Sequence, residues 1–425
     1  MEKVISKISP ITKYHGKTEF VNLSSRSLIQ LALAEEEGED SPLFWDYVYI
    51  LQDRGDREVL EAAKQLCSSN NVLEKTLGIS ILSRLGLSER SFPKECVDIL
   101  LQVWAEEQDY EMWKNIAFAL GNFDDPRRVT HLSKFKNYPI DDIRLAVVMG
   151  LSDLNDSLAI ATLIELSDDP VPDIRDWAIF YLRMINLNVP KIREAFFQRL
   201  MKENPETNYG IYRDALLGLL ENNDKRAIVP FLQELSRDRD PDDLQELLMG
   251  AEDLDDARKI VPVAKLKNHP SASVRQAVAI ALSDREDPLA IATLIELSTD
   301  ADDEVRDWAT SAVGTSIQSD TPAIREALFQ RLSNENPDTH YTIYGEALIG
   351  LLLRNDERAI APLVQELSRD RDSSEGEDIA TALSKLDDPR KFIPLIKLKD
   401  FPKVKVQLGV MKALFNQEER SSHGK

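Results

Sequence analysis

Glycine is scarce in this chain, at 16 of 425 residues, against a usual share of ~7%. Phosphate-cradling loops, hairpin-rich β folds and propellers all need residues free to adopt positive φ, so the scarcity argues against them. Cysteine is rarer still: Cys67 and Cys96 are the only two, too few for a disulfide framework or a four-thiolate zinc site. No apolar run approaches the ~20 residues that span a bilayer. The opening stretch MEKVISKISPITKYHGKTEF lacks the unbroken apolar core of a signal peptide. The expectation is therefore a soluble, cytoplasmic protein that does not associate with membranes. The five histidines, His15, His131, His269, His340 and His423, are scattered singly, which leaves no metal-ligand spacing and no call for a cofactor. No serine or cysteine stands in a recognisable nucleophile turn, and an enzyme is not expected.

What is present is enough apolar surface to fold, 43% hydrophobic against 30% charged, with a formal net charge of -22. A prior of ~150 residues per domain would give about three domains, but internal repetition overrides it. Residues 134–178, KFKNYPIDDIRLAVVMGLSDLNDSLAIATLIELSDDPVPDIRDWA, return 131 places later as KLKNHPSASVRQAVAIALSDREDPLAIATLIELSTDADDEVRDWA. After a one-residue insertion the similarity continues, IREAFFQRL reappearing as IREALFQRL. A shorter period lies inside the block. Asp125, Asp156, Asn188, Asp224, Asp256, Asp287, Asp320, Asp356 and Asp388 are spaced by 31 to 36 residues, and each is a candidate helix N-cap. The stretch after each cap has one broad apolar face, as in Leu289, Ala292, Leu294, Ile295 and Leu297. A second helix follows, with Val305, Ala309 and Val313 at i, i+4 and i+8.

Each unit is thus a helical hairpin that must stack on its neighbours to bury its apolar face. The predicted fold is all-α: an α-solenoid, or superhelix, of about eleven stacked hairpins. Residues 1–40 read as an N-terminal arm and a capping helix over Ser24–Glu36; residues 41–425 read as a single solenoid. Within it the duplicated blocks cover about 109–240 and 241–372, and 388–425 forms a C-terminal cap with a last helix over Val404–Asn416.

The segments DPLAIATLIELSTDADDEVRDWA at 287–309 and NDERAIAPLVQELSRD at 355–370 resemble the HEAT repeat, in the bacterial variety first associated with phycobilisome lyases. The resemblance implies a ladder between the aspartate of each inter-helix turn and the arginine opening the second helix. Asp173 with Arg175 and Asp303 with Arg306 match that pattern. Lys75-Thr76 replaces the expected Ile-Arg, so the ladder is expected to lapse near the N-terminus.

Paired acids such as Asp124/Asp125 and Asp255/Asp256 recur at the caps; a catalytic pair should occur once, so capping is the better account. Trp177 and Trp308 stand at equivalent positions beside Arg175 and Arg306, a pairing common at interfaces; the alternative is that each tryptophan packs between units. Tyr209 with Tyr212 and Tyr341 with Tyr344 share helix faces at i and i+3, as core or as contact surface. The motifs Lys134-Phe135-Lys136, Lys265-Leu266-Lys267 and Lys397-Leu398-Lys399 end first helices, where cations complement the dipole.

Residues 31–389 carry a net charge of -31, which opposes nucleic acid and favours a basic protein partner. The expected function is a non-catalytic scaffold or adaptor for protein–protein interaction on the concave surface. Its candidate contact residues are Arg175, Trp177, Tyr209, Tyr212, Arg306, Trp308, Tyr341 and Tyr344. The resemblance implies an alternative, a bilin lyase or chaperone-like factor for phycobiliproteins. A solenoid DNA glycosylase shares the fold but needs a basic concave face, which the acidic body opposes.

Overall fold

Aspartate, serine and proline set the helix starts. In a computed structural model the described residues are 20–35, 41–87, 89–152, 155–185 and 187–367. The arm before residue 20, the C-terminal cap at 388–425, the helix at Val404–Asn416 and the third Lys-Leu-Lys motif lie outside them. Every described element is helical or a turn, with no strand among the described residues. The chain divides at 215/216 into two compact units, and the division falls within a helix at Tyr209–Leu220.

The first unit begins with α1 (Ser25–Ala34), α2 (Pro42–Arg54), α3 (Arg57–Cys67), α4 (Val72–Ser83), α5 (Pro93–Glu106) and α6 (Tyr110–Gly121). It continues with α7 (Arg127–Leu132), α8 (Asp141–Gly150), α9 (Ser157–Leu166), α10 (Pro172–Met184) and α11 (Pro190–Lys202), and reaches the start of α12 (Tyr209–Leu220). The second unit contains α13 (Ile228–Glu234), α14 (Pro241–Gly250), α15 (Ile260–Ala264), α16 (Ala272–Leu282), α17 (Pro288–Leu297), α18 (Asp303–Ser311), α19 (Pro322–Asn334), α20 (Tyr341–Leu353) and α21 (Ile360–Leu367). In each unit hairpins stack so that second helices pack side by side: α4 on α6 on α8 on α10 in the first, and α14 on α16 on α18 on α20 in the second. This row is the core. α16 buries Val274, Ala277, Val278, Ile280, Ala281 and Leu282, more than one face, because it is flanked by neighbours on both sides.

Most of the expected caps are present. Asp156 accepts the amides of Leu158 and Ala159 at 2.8 and 3.0 Å, and Asp287 repeats this with Leu289 and Ala290 at 2.8 and 3.4 Å. Asp224, Asp256 and Asp356 accept the amides of Arg226, Arg258 and Arg358, but each opens a short 3₁₀ turn before the α-helix. Asn188 and Asp320 do not cap. Pro190 and Pro322 occupy the first helical position, which moves the cap to the residue before each, Val189 and Thr321. Asp320 instead holds Arg325, through Nε at 2.7 Å and Nη2 at 2.6 Å.

The C-terminal ends of second helices use a device the sequence reading did not anticipate. Their last carbonyls have no partner within the helix, and a buried cation reaches them. Arg128 donates to Leu120 O at 2.9 Å and Ser152 O at 3.0 Å. Lys259 donates to Ala251 O and, at 3.0 Å, to Glu252 O. Arg354 donates to Gly314 O, Gly350 O, Val313 O and Ile317 O at 2.6–3.0 Å. Around Arg354, α18 runs into a π-helical turn at Ala312–Ser316. The backbones come so close that a Cβ on Gly350 would lie 2.7 Å from Gly314 Cα.

Candidate interaction surface

The fourth residue of each second helix organises the stack. It is Lys75 in α4, Trp113 in α6, Arg144 in α8, Arg175 in α10, Tyr212 in α12, Leu244 in α14, Arg275 in α16, Arg306 in α18 and Tyr344 in α20. Where it is arginine, the guanidinium does two things at once. Its Nη1 donates to the two turn carbonyls five and six residues back, as Arg175 does to Asp169 O (2.9 Å) and Pro170 O (3.1 Å). Its other edge grips an acid in the next hairpin: Arg144 on Asp169 (2.7 and 3.0 Å), Arg175 on Glu203 (2.7 and 3.2 Å), Arg275 on Asp300 (2.7 and 2.8 Å), Arg306 on Glu335 (3.0 Å).

A ladder therefore exists, with turn aspartates as the acids for Arg144 and Arg275, but one of the two expected pairs, Asp173 with Arg175, does not form. Arg175 is committed to Glu203 rather than Asp173, because the fork points onward along the stack and Asp173 is exposed in the first turn of its own helix. Arg306 does bond Asp303, at 3.0 Å, in addition to Glu335. At Lys75 the contact is kept, the ammonium meeting Glu107 at 2.7 Å, and the expected lapse falls one helix later, at Trp113, which donates to the Trp104 carbonyl instead. A single ammonium can replace the inter-hairpin contact, though not the fork geometry. Burial would raise the Glu203 carboxyl, but hydrogen bonds from Arg175 and Asn208 outweigh it and hold it below the usual range.

Arg175 and Arg306 are thus structural in the ladder. Tyr212 and Tyr344 are buried, at 6% and 5% exposure, in the positions that carry arginine elsewhere. Tyr209 and Tyr341 are half-buried at the starts of the same helices. The two tryptophans part company. Trp177 is half-buried and packs against Phe180 (centroids 5.6 Å apart) and Tyr181 (5.7 Å, stacked). In the second unit the corresponding positions are Ser311 and Ala312, so no ring covers Trp308, which is 46% exposed. The Lys-x-Lys motifs also find partners within the stack: Lys136 bonds Glu165 at 2.7 Å, and Lys267 bonds Glu296.

Sequence reading missed two features. The first is an aromatic cluster in the first unit, where Trp113 lies 5.9 Å from Trp104, 5.6 Å from Phe135 and 5.6 Å from Tyr138; these residues come from three separate segments, so periodicity does not link them. The second is charge segregation in the second unit. Its second helices carry Asp242, Asp243 and Glu246 on α14, Asp303, Glu304 and Asp307 on α18, and Glu346 on α20. Against these stand only two cations within α14, α16, α18 and α20, Arg275 and Arg306, both held in the ladder. Lysine and arginine lie instead on the first-helix side, including Lys225, Arg258, Lys265 and Arg325.

Two acids at one equivalent position are perturbed. Burial, with the Asp214 carboxylate nearby, pushes Asp176 up to about 6. Burial also raises Asp307, a hydrogen bond from Thr342 working against it. The thiols are unsuited to nucleophilic work: burial pushes Cys67 up to about 12 and Cys96 to about 11. Among the described residues no group of three or more His, Cys, Asp or Glu could hold a metal, and no described helix is long and apolar enough to cross a membrane.

The fold is an α-solenoid of stacked helical hairpins, and residues 97–183 and 228–314 match the HEAT-repeat family. The chain is similar to protein YibA of Escherichia coli (strain K12), 25% identical over 212 residues, which cover 46% of this chain and 71% of YibA. The solved structure of the E. coli YibA protein aligns with a TM-score of 0.50 at 20% identity, covering 62% of this chain and 94% of that one. A structure of Kap95p with RanGDP aligns with a TM-score of 0.64 at 11% identity, covering 99% of this chain and 65% of that one. At these identities the two structures speak for the fold alone. The comparisons support the HEAT repeat and do not reach the narrower phycobilisome-lyase-like type.

Proposed function

We propose that the protein is a non-catalytic scaffold or adaptor that binds a protein partner along its second-helix row. The observation that carries this reading is Trp308, a large apolar side chain left 46% exposed on that row. Beneath it Arg306 ties α18 to the next hairpin through Glu335 and to its own turn through two carbonyls. A rigid, repeated surface bearing an aromatic anchor is what repeat stacks offer a macromolecular ligand. The likeness to solenoids such as Kap95p, whose structure is of a complex with RanGDP, supports the reading by analogy of fold.

The test is affinity capture with the full chain as bait, followed by hydrogen exchange on the reconstituted complex. Slowed exchange in second helices, α18 above all, is the expected result. Slowed exchange confined to first helices would overturn the placement, and a chain that captures nothing saturable would overturn the scaffold reading itself.

A further inference from the structure

The second-helix face of the second unit has a chemistry more specific than a general contact surface. Trp308 is its exposed aromatic, and Glu304 lies one turn away on the same face. Glu304 is met by Gln276 of α16 at 3.4 Å, so its carboxylate has no cation in that contact. Asp307, next to Trp308, takes a hydrogen bond from Thr342 of α20, while its Oδ1 is buried without a hydrogen-bond donor. One turn further along, Thr310 is fully buried and its hydroxyl also lacks a partner. A carboxylate oxygen removed from water and given no donor is an unfavourable arrangement that an incoming N–H would relieve. Thr342 of α20 leaves that oxygen unpaired, and neither arginine of the row is available to it, since Arg275 and Arg306 are held by Asp300 and Glu335.

We propose that this face, with Trp308 at its centre, binds an arginine-bearing peptide segment of a partner protein, one guanidinium lying against the indole and donating to Asp307. Arginine fits better than lysine on two counts. Its planar cation stacks on an indole face, and its fork can bond a carboxylate while remaining stacked. Glu304 and Asp242 would draw in flanking basic residues. The inference rests on the scaffold reading and assigns its partner a chemical class.

The experiment uses the full chain and a fluorescein-labelled hexa-arginine peptide, with binding read by anisotropy at about 0.15 M salt, where the Debye length is ~8 Å and diffuse attraction is damped. Trp308→Ala and Asp307→Asn should each weaken binding roughly three- to thirtyfold, with melting curves close to the parent's. Trp308→Phe should retain most of the affinity. Neutralising an exposed acid of the first unit by Glu58→Gln should change it less than about twofold, and a hexa-lysine peptide should bind more weakly than hexa-arginine. Equal weakening by Asp307→Asn and Glu58→Gln would show attraction to net charge alone and overturn the proposal, as would indifference to Trp308→Ala. A natural partner that still slows exchange in α18 while binding both variants as tightly as the parent would overturn the arginine site and leave the scaffold reading standing.

Discussion

Replacing Arg175 by leucine tests the ladder most directly. The change removes two hydrogen bonds to Glu203, at 2.7 and 3.2 Å, and two to the carbonyls of Asp169 and Pro170. The pair is shielded, with side-chain exposures of 12% and 3%, and breaking a buried pair by deleting one partner costs about 3–5 kcal/mol. Glu203 would keep Arg199 at 3.2 Å and Asn208 at 2.9 Å, so the cost falls below that range, to about 2–3 kcal/mol. Glu203→Leu should cost more, about 3–4 kcal/mol, because two guanidiniums each lose their Glu203 contact, although Arg199 keeps Asp168 and Arg175 keeps its two turn carbonyls. The double variant should cost about the same as Glu203→Leu alone, which implies a coupling energy equal to the Arg175→Leu cost, about 2–3 kcal/mol. Urea unfolding followed by far-UV circular dichroism measures all four corners of the cycle. The Glu203 carboxyl is held low in the folded state, so its contribution is complete above the unfolded value of ~4.3 and is lost as pH falls through the lower folded value. The penalty for Arg175→Leu should therefore shrink at strongly acid pH. A coupling energy under about 0.5 kcal/mol would show that the ladder does not bind hairpin to hairpin, and would refute the reasoning.

Trp177→Ala should destabilise by about 2–3 kcal/mol, since it removes a ring stacked on Tyr181, whereas Trp308→Ala should cost under about 1 kcal/mol; thermal melts that rank the two the other way would contradict their burial. Asp176 is raised to about 6 in the folded chain, above its unfolded ~3.9, so folding is favoured by its protonation and that advantage is lost as pH rises through 6. Asp176→Asn should thus stabilise by about 1–2 kcal/mol at pH 8 and hardly at all at pH 4, a difference readable from melting temperatures at the two values. Gly350→Ala would place a Cβ against Gly314 Cα, 2.7 Å away, and should cost roughly 1–3 kcal/mol through backbone displacement, measured by urea unfolding.

The local layer of this structure was legible in the sequence. Asp156 and Asp287 cap because an aspartate before an apolar-periodic stretch satisfies amides two and three residues away, and that chemistry needs nothing beyond its own segment. The helix-only content and the 131-residue duplication are of the same kind, since period and repetition are properties of the string. Asn188 and Asp320 were misread as caps although the signal was present, in the proline two residues on.

The partners across hairpins were decided by tertiary structure. Arg175 pairs with Glu203, 28 residues away, and Arg275 with Asp300, 25 away; which acid receives the fork depends on how far each hairpin advances along the stack, a length the inter-helix turns set. The same holds for the buried cations. Nothing in the local sequence marks Arg128, Lys259 or Arg354, and only the packed structure brings them onto the last carbonyls of second helices. Trp177 and Trp308 sit in the same Arg-Asp-Trp-Ala context, yet one is covered and the other exposed. Residues three and four places on supply the cover, but that they fold back over the indole rather than into the stack is settled by the space that adjoining helices leave.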